Sequence, residues 1–311
     1  MPTTSASSAS SGQGRADLSE HRRENSQATN RIRERTVRAN GLDFPILEAG
    51  SGRLVLCLHG FPDHAQSWAH FLDRLAQEGY WAGGAAPDGS YRALATGQDV
   101  LALIEALGAE QADLIGHDFG ARAAYAAASL DAARIRKLVG LAVPYGKGLP
   151  TAFVADGDQQ RRSWYMFFFH TRLAEAAVQL NDFAFLDRLW REWSPGYVLP
   201  PANRSALNAT FGQPGVLTQT LAYYRQLFTP PSDAAAQALE VRASGPIAVP
   251  SLYLHGTEDG CMSPQLSEGM EAMFKNGLER VVMPGVGHFL HLEQPDAVLS
   301  HVLRFLNADR S

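Results

Sequence analysis

The stretch Gly116-His117-Asp118-Phe119-Gly120 constrains the fold more than any other part of the chain, because of what stands on either side of it. Ala112-Asp113-Leu114-Ile115 before it reads as a short buried strand, and the Ala-rich run from Ala121 to Ser129 after it suits a helix. A strand that turns sharply into a helix between two glycines lifts the central side chain clear of a sheet and aims the positive end of the helix at any anion held there. Asp118 is that central residue. A carboxylate here points to alkyl-ester chemistry rather than acyl transfer. The plainer reading is an acid that accepts backbone hydrogen bonds within its own turn.

From Arg31 onward, strand-like and helix-like stretches alternate, which predicts an α/β fold with a doubly wound, mostly parallel sheet. Arg31 to Arg38 and Phe44 to Glu48 read as an early pair of strands, and Leu54 to Leu58 is a continuous apolar run of the kind buried on both faces. Trp68 to Gln77 carries a helical spacing closed by Gly79, and Leu101 to Leu107 is a further helix. Lys137 to Val143, Pro250 to Leu254 and Val281 to Met283 read as strands, and Asp296 to Leu306 as a closing helix. Between Pro144 and about Gly245 the texture changes to aromatic clusters and helical patterns without buried-strand runs. The expected organisation is a disordered tail over residues 1–30, a core from 31–144 and 246–311, and a helical cap over 145–245, lying where open α/β sheets bind ligands.

One segment conflicts with this scheme. Between residues 80 and 90 only Tyr80-Trp81-Ala82 precedes Gly83 and Gly84, fewer than the about 5 to 6 residues of an ordinary strand. A central strand is therefore expected to be shortened or missing, at a cost in unpaired backbone groups that puts stability and activity in doubt.

Composition narrows the function classes. At 311 residues the chain can bury a sizeable core. A net charge of −5 offers no basic surface for a nucleic acid, and no apolar run reaches the length of a membrane span. Cys57 and Cys261 are read as free thiols, and the location expected by default is cytoplasmic. His59 and His64 lack companions at metal-site spacing, so neither metal nor cofactor is expected. Oligomeric state is not legible.

Two further turns join Asp118. His255-Gly256-Thr257-Glu258-Asp259-Gly260 follows one strand and Pro284-Gly285-Val286-Gly287-His288 follows the next, so nucleophile, acid and histidine come in that order, each after an apolar strand. By residue type, Asp118 attacks an electrophilic carbon, His288 takes a proton from the water that cleaves the resulting ester, and Asp259 holds the imidazole. Backbone N–H groups of Phe61 and Phe119 are expected to serve the tetrahedral intermediate. His291 and Glu258 are rivals for His288 and Asp259; His59 is expected to organise its loop, and His117 to be buried and hydrogen-bonded.

From about Arg31 to its end the chain resembles the epoxide hydrolase branch of the α/β-hydrolase superfamily, through His59-Gly60-Phe61-Pro62, Gly116 to Gly120, Asp259 and His288. Ser163 to His170 resembles that branch's Tyr-x-x-x-Phe-Gln element, and Ala222-Tyr223-Tyr224-Arg225 its Asn-Trp-Tyr-Arg element. The resemblance implies that Tyr165 and Tyr224 donate hydrogen bonds to an epoxide oxygen, and it implies a small apolar epoxide and water as the partners. Within the same motifs His59, Pro62, Trp164 and Phe168 are expected to line the substrate. Two alternatives stand beside epoxide opening: carbon–halogen cleavage, and a catalytically impaired protein on a hydrolase scaffold. Against the first, Phe119 stands where many relatives have Trp and cannot donate an N–H to a halide. Relatives acting on fluoroacetate carry Arg at that elbow position, and Arg122 keeps only part of their pattern.

Overall fold

The computed structural model describes residues 31–85 and 92–308. The expected tail, residues 1–30, lies outside them, as does 86–91, the stretch that follows the doubtful strand. Eight strands form one sheet: β1 (Arg33–Ala39), β2 (Leu42–Gly50), β3 (Arg53–Leu58), β4 (Tyr80–Ala85), β5 (Ala112–His117), β6 (Ile135–Leu141), β7 (Ser251–Gly256) and β8 (Leu278–Met283). Their order is β1-β2-β4-β3-β5-β6-β7-β8. β1 and β2 are joined through Asn40 and Gly41, both at positive φ, the two-residue turn that an Asn-Gly pair favours. β2 pairs antiparallel with β1 and β4, and every pairing from β4 to β8 is parallel.

Helices α1 (Ala69–Gln77), α2 (Ala93–Ala106) and α3 (Phe119–Leu130), with the later α11 (Leu290–Glu293) and α12 (Pro295–Asn307), flank the sheet. The strands have side chains in two separate apolar clusters, one shared with α2 and α3 and the other with α1 and α12. A sheet covered on both faces needs apolar side chains pointing both ways, which is why β5 and β7 are buried along their whole length.

The expectation of a missing central strand is corrected. β4 runs six residues, in register from Arg53 opposite Tyr80 to Leu58 opposite Ala85, and pairs with β2 through Leu47 opposite Gly84. A ladder is made of backbone N–H and C=O groups, which glycine supplies as well as valine does; β2 and β3 present two edges that recruit the segment despite its weak propensity. Tyr80 and Ala82 are fully buried, so the suspected packing defect does not arise.

Between β6 and β7 the chain forms, apart from a single β-bridge of Ile247 with Phe274, only helices: α4 (Gly148–Ala155), α5 (Gly157–Arg162), α6 (Trp164–Phe168), α7 (Ala174–Trp193), α8 (Pro201–Phe211), α9 (Val216–Leu227) and α10 (Ala234–Ala243). α7 is kinked by non-helical residues at 180–183. α10 returns to pack on α2 and α3. No helix among the described residues is long and apolar enough to cross a membrane.

Candidate active site

The site is built where β5 ends. Asp118 has φ 52° and ψ −120°, a conformation L-residues rarely hold, and it is held there because β5 must turn directly into α3. A Cβ on Gly120 would collide with the carbonyl of Leu58, and one on Gly60 with the Asp118 side chain itself. Both positions therefore need glycine for close approach. Gly60 in turn lets the β3 loop come near enough for Phe61 N–H to donate to Asp118 Oδ1 at 2.8 Å.

The turns after β7 and β8 bring the other two groups. Asp259 Oδ1 accepts the backbone N–H groups of Cys261 and Met262 at 2.7 and 2.8 Å, and its Oδ2 accepts from His288 Nδ1 at 2.9 Å. His288 Nε2 then faces Asp118 Oδ2 across 3.7 Å without a hydrogen-bond partner. The helical insertion fastens both turns, since the Trp193 carbonyl at the end of α7 accepts N–H groups from Gly260 at 3.1 Å and His288 at 2.9 Å. The Trp193 ring also lies edge-on to the imidazole, 5.2 Å between centres.

Tyr165 on α6 and Tyr224 on α9 come together, their ring centres 5.5 Å apart. The Tyr165 hydroxyl pairs with Cys261 Sγ at 3.3 Å, while the Tyr224 hydroxyl is buried with no partner. Phe61 packs edge-on against Phe169, Phe211, Trp193 and Tyr224, forming an aromatic wall beside the carboxylate. On one side of that wall lies a cavity of about 560 Å³, lined among others by His59, Phe61, Phe119, Phe211 and Tyr223. The crevice that reaches Asp118 is about 10 Å³, lined by Asp118, Phe119, Arg122, Met166, Tyr224 and Met262 among others.

Not every expected residue joins the group. Trp164 and Phe168 line neither space: Tyr165 and Phe169 occupy the inward face of this short helix, leaving their neighbours to pack with Phe185, Trp164 beneath Arg188. Pro62 serves through its carbonyl, which accepts from Trp190 Nε1 at 3.1 Å. His59 borders the larger cavity with its Nδ1 3.1 Å from the Gly60 carbonyl. His291 lies in the core, stacked on Trp68 and 3.5 Å from Asp63, and Glu258 is exposed. Sequence reasoning passed over His255, whose Nε2 lies 3.1 Å from Asp259 Oδ2; its i, i+4 spacing from the acid after a strand was the available signal. It also passed over Cys261 as a neighbour of Tyr165, for which no local signal exists.

Electrostatics follow from burial. Desolvation opposes charge on His288, but Asp259 and then Asp118 outweigh it and raise its pKa to about 10. Asp259 shows the converse: burial favours the neutral acid, yet His288 and His255 hold it well below the usual carboxylate range. Burial pushes both Tyr165 and Tyr224 well above the ordinary phenol value, so both keep their protons. Burial and the neighbouring imidazoles of His291 and His288 hold His117 neutral, with Nε2 donating to the His288 carbonyl at 3.0 Å.

Among the described residues, two buried groups bring metal-capable atoms within 4.8 Å of one another: Asp63, His117 and His291, and Asp259, Cys261 and His288. In the second, both carboxylate oxygens already accept hydrogen bonds, and burial drives the Cys261 thiol away from the thiolate that a metal needs.

Residues 53–295 match the family model described as the α/β hydrolase fold. Epoxide hydrolase 4 of Mus musculus is 29% identical over 88% of this chain and 79% of its own length, and epoxide hydrolase A of Mycobacterium tuberculosis is 27% identical over 88% and 97%. Among solved structures, an epoxide hydrolase from Vigna radiata superposes with a TM-score of 0.74 at 26% identity, covering 89% of this chain and 98% of that one.

Proposed function

Because the chain belongs to the α/β-hydrolase fold family, we propose that it hydrolyses an epoxide to a vicinal diol through an ester on Asp118. The observation that carries this reading is the division of labour on one buried carboxylate: Oδ1 receives the Phe61 N–H while Oδ2 is free and turned toward His288 Nε2. The names of the relatives support the substrate class.

In the first half-reaction Asp118 Oδ2 displaces the epoxide oxygen from carbon, a step in which a carboxylate, unlike a hydroxyl, needs no base to activate it. The oxygen leaves as an alkoxide, stabilised by the protonated phenols of Tyr165 and Tyr224. Ester formation removes the charge of Asp118, one of the two carboxylates that keep His288 protonated, so the imidazolium sheds its proton, matching the one the alkoxide takes up. Neutral His288, oriented by Asp259, then draws a proton from water as that water attacks the ester carbonyl. The oxyanion develops at Oδ1, beside Phe61 N–H and at the start of α3, where the Phe119 N–H is expected to add a second donor. Collapse releases the diol and restores the carboxylate.

The experiment is turnover of styrene oxide with Asp118→Ala as control, paired with mass spectrometry of His288→Gln after exposure to the epoxide. Diol formation lost in the first variant and an adduct on the Asp118 peptide in the second are the expected results. Undiminished diol formation by Asp118→Ala ends the proposal.

A further inference from the structure

Behind the active site, Asp63, His117 and His291 each bring one metal-capable atom to within 4.8 Å of the others, and all three residues are buried. They come from separate parts of the chain: Asp63 follows β3, His117 ends β5, and His291 lies on α11. Ten buried side-chain nitrogens and oxygens among the described residues have no hydrogen-bond partner, and four of them are Asp63 Oδ2, His117 Nδ1 and both ring nitrogens of His291. Such groups cost free energy in a core, so their concentration at one point calls for a partner that meets several at once. The expectation that no metal is bound rested on local spacing, which residues this far apart in the chain do not show.

Two of the three groups are already oriented from behind. Asp63 Oδ1 accepts the His64 N–H at 2.8 Å and the Ser67 hydroxyl, which fixes the carboxylate and leaves Oδ2 for another partner. His117 Nε2 donates to the His288 carbonyl at 3.0 Å, so Nδ1 carries a lone pair rather than a proton. Outer hydrogen bonds of this kind are what hold metal ligands in place. Two acceptors cannot satisfy one another, and His291 Nε2 stands 3.5 Å from Asp63 Oδ2 without bonding to it. That separation is close to the edge of a tetrahedral metal site, about 3.3 Å for bonds of about 2.0 Å. Asp63 also borders the cavity of about 560 Å³, beside His59 and His64, which gives an ion a way in. We propose that Asp63, His117 and His291 bind a divalent transition-metal ion of the zinc class, with water in the fourth position. Two imidazoles and a carboxylate suit Zn²⁺ or Co²⁺ over Mg²⁺ and Ca²⁺, which take oxygen ligands. Bonded to all three, the ion is a clasp: it ties the loop that carries Phe61 to the end of the strand before Asp118 and to the segment after His288. The site stands whether or not Asp118 opens an epoxide.

The test uses the full chain, treated with EDTA and desalted, titrated with ZnCl2 in isothermal titration and with CoCl2 in visible absorption. Expected are saturation at one Zn²⁺ per chain, no uptake of Mg²⁺, and a melting temperature that rises with added Zn²⁺. Bound Co²⁺ should show the intense d–d absorption of a four-coordinate ion without thiolate-to-cobalt charge transfer. Asp63→Asn keeps the size of the side chain and its Oδ1, and His291→Phe keeps a ring against Trp68. Each should weaken Zn²⁺ binding about a hundredfold or more, since loss of an outer hydrogen bond alone costs about ten- to a hundredfold. Cys261→Ser should leave it unchanged. Circular dichroism establishes that the variants fold. X-ray absorption at the zinc edge of the wild type needs no variant, and nitrogen and oxygen neighbours without sulfur are expected. Failure to saturate at one ion, or undiminished affinity in Asp63→Asn and His291→Phe, overturns the proposal and leaves the cluster to buried water. Charge transfer or a sulfur neighbour also overturns it, by placing the ion at Asp259, Cys261 and His288.

Discussion

His288 Nε2 stands 3.7 Å from Asp118 Oδ2, too far for a hydrogen bond, while its Nδ1 is bound to Asp259 at 2.9 Å. The imidazole is thus anchored to one carboxylate and held off from the other. A ring bonded to both would be pinned against Asp118; this one leaves Oδ2 unencumbered, as the reaction proposed above requires of it, and leaves Nε2 for water in that reaction.

The same two carboxylates predict a pH dependence of stability. With His288 raised to about 10, its proton is held more tightly in the folded chain than in the unfolded one, where about 6.5 is ordinary. The stabilisation is fully present below about 6.5 and is lost as pH rises through about 10, with a limiting slope of about 1.4 kcal/mol per pH unit. Urea melts at pH 7 and pH 9 should show the wild type losing more stability than His288→Gln; equal losses would refute the charged resting state.

Tyr224→Phe should separate stability from activity. The hydroxyl it removes is buried without a partner, so the variant is expected to gain about 1 kcal/mol in chemical denaturation while epoxide turnover falls about tenfold to a hundredfold. Tyr165→Phe gives up the contact with Cys261 and should lower turnover similarly with little gain in stability. If Tyr224→Phe leaves single-turnover ring opening intact, the phenol is only a packing residue.

At the other end of β5, fully buried Asp113 accepts a forked pair of hydrogen bonds from Arg53 Nε and Nη2, at 2.7 and 3.0 Å. Asp113→Ala leaves Arg53 and the nearby Arg136 without their anion at the edge of the core, and a loss of about 3 kcal/mol is expected in urea melts. A change under a third of that would mean that water satisfies both arginines.

Gly83 offers a test of β4. A Cβ there would meet the Leu47 carbonyl at 3.6 Å and the Leu56 side chain at 3.7 Å, ordinary contacts in a position of negative or extended φ. Gly83→Ala is accordingly expected to raise stability by about 0.5 kcal/mol, chiefly by restricting the unfolded chain. Destabilisation of similar size would show that the segment is not seated as a strand.

The site was legible in the sequence wherever its chemistry sits in a turn after an apolar strand. Asp118, Asp259 and His288 each announced themselves by local pattern, and the structure brings all three together. β4 was not legible, because a strand built on Gly83 and Gly84 has no side-chain signal and owes its existence to the hydrogen-bonding edges of β2 and β3. Trp164 and Phe168 misled for the opposite reason: an aromatic stripe carries enough hydrophobicity to be buried, but nothing in it says which side of a five-residue helix faces the site.

By itself the sequence determined the alternation of strands and helices apart from β4, and which carboxylates and which histidine sit in turns after apolar strands, since periodicity and turn residues act over a few positions. Tertiary structure alone decided that Trp193 would tie the acid and histidine turns to the insertion, that Tyr224 would be left with an idle hydroxyl, and that Arg122 would share a crevice with Asp118. Those relations join residues far apart in the chain, and only the packing of the helical insertion on the sheet sets their distances.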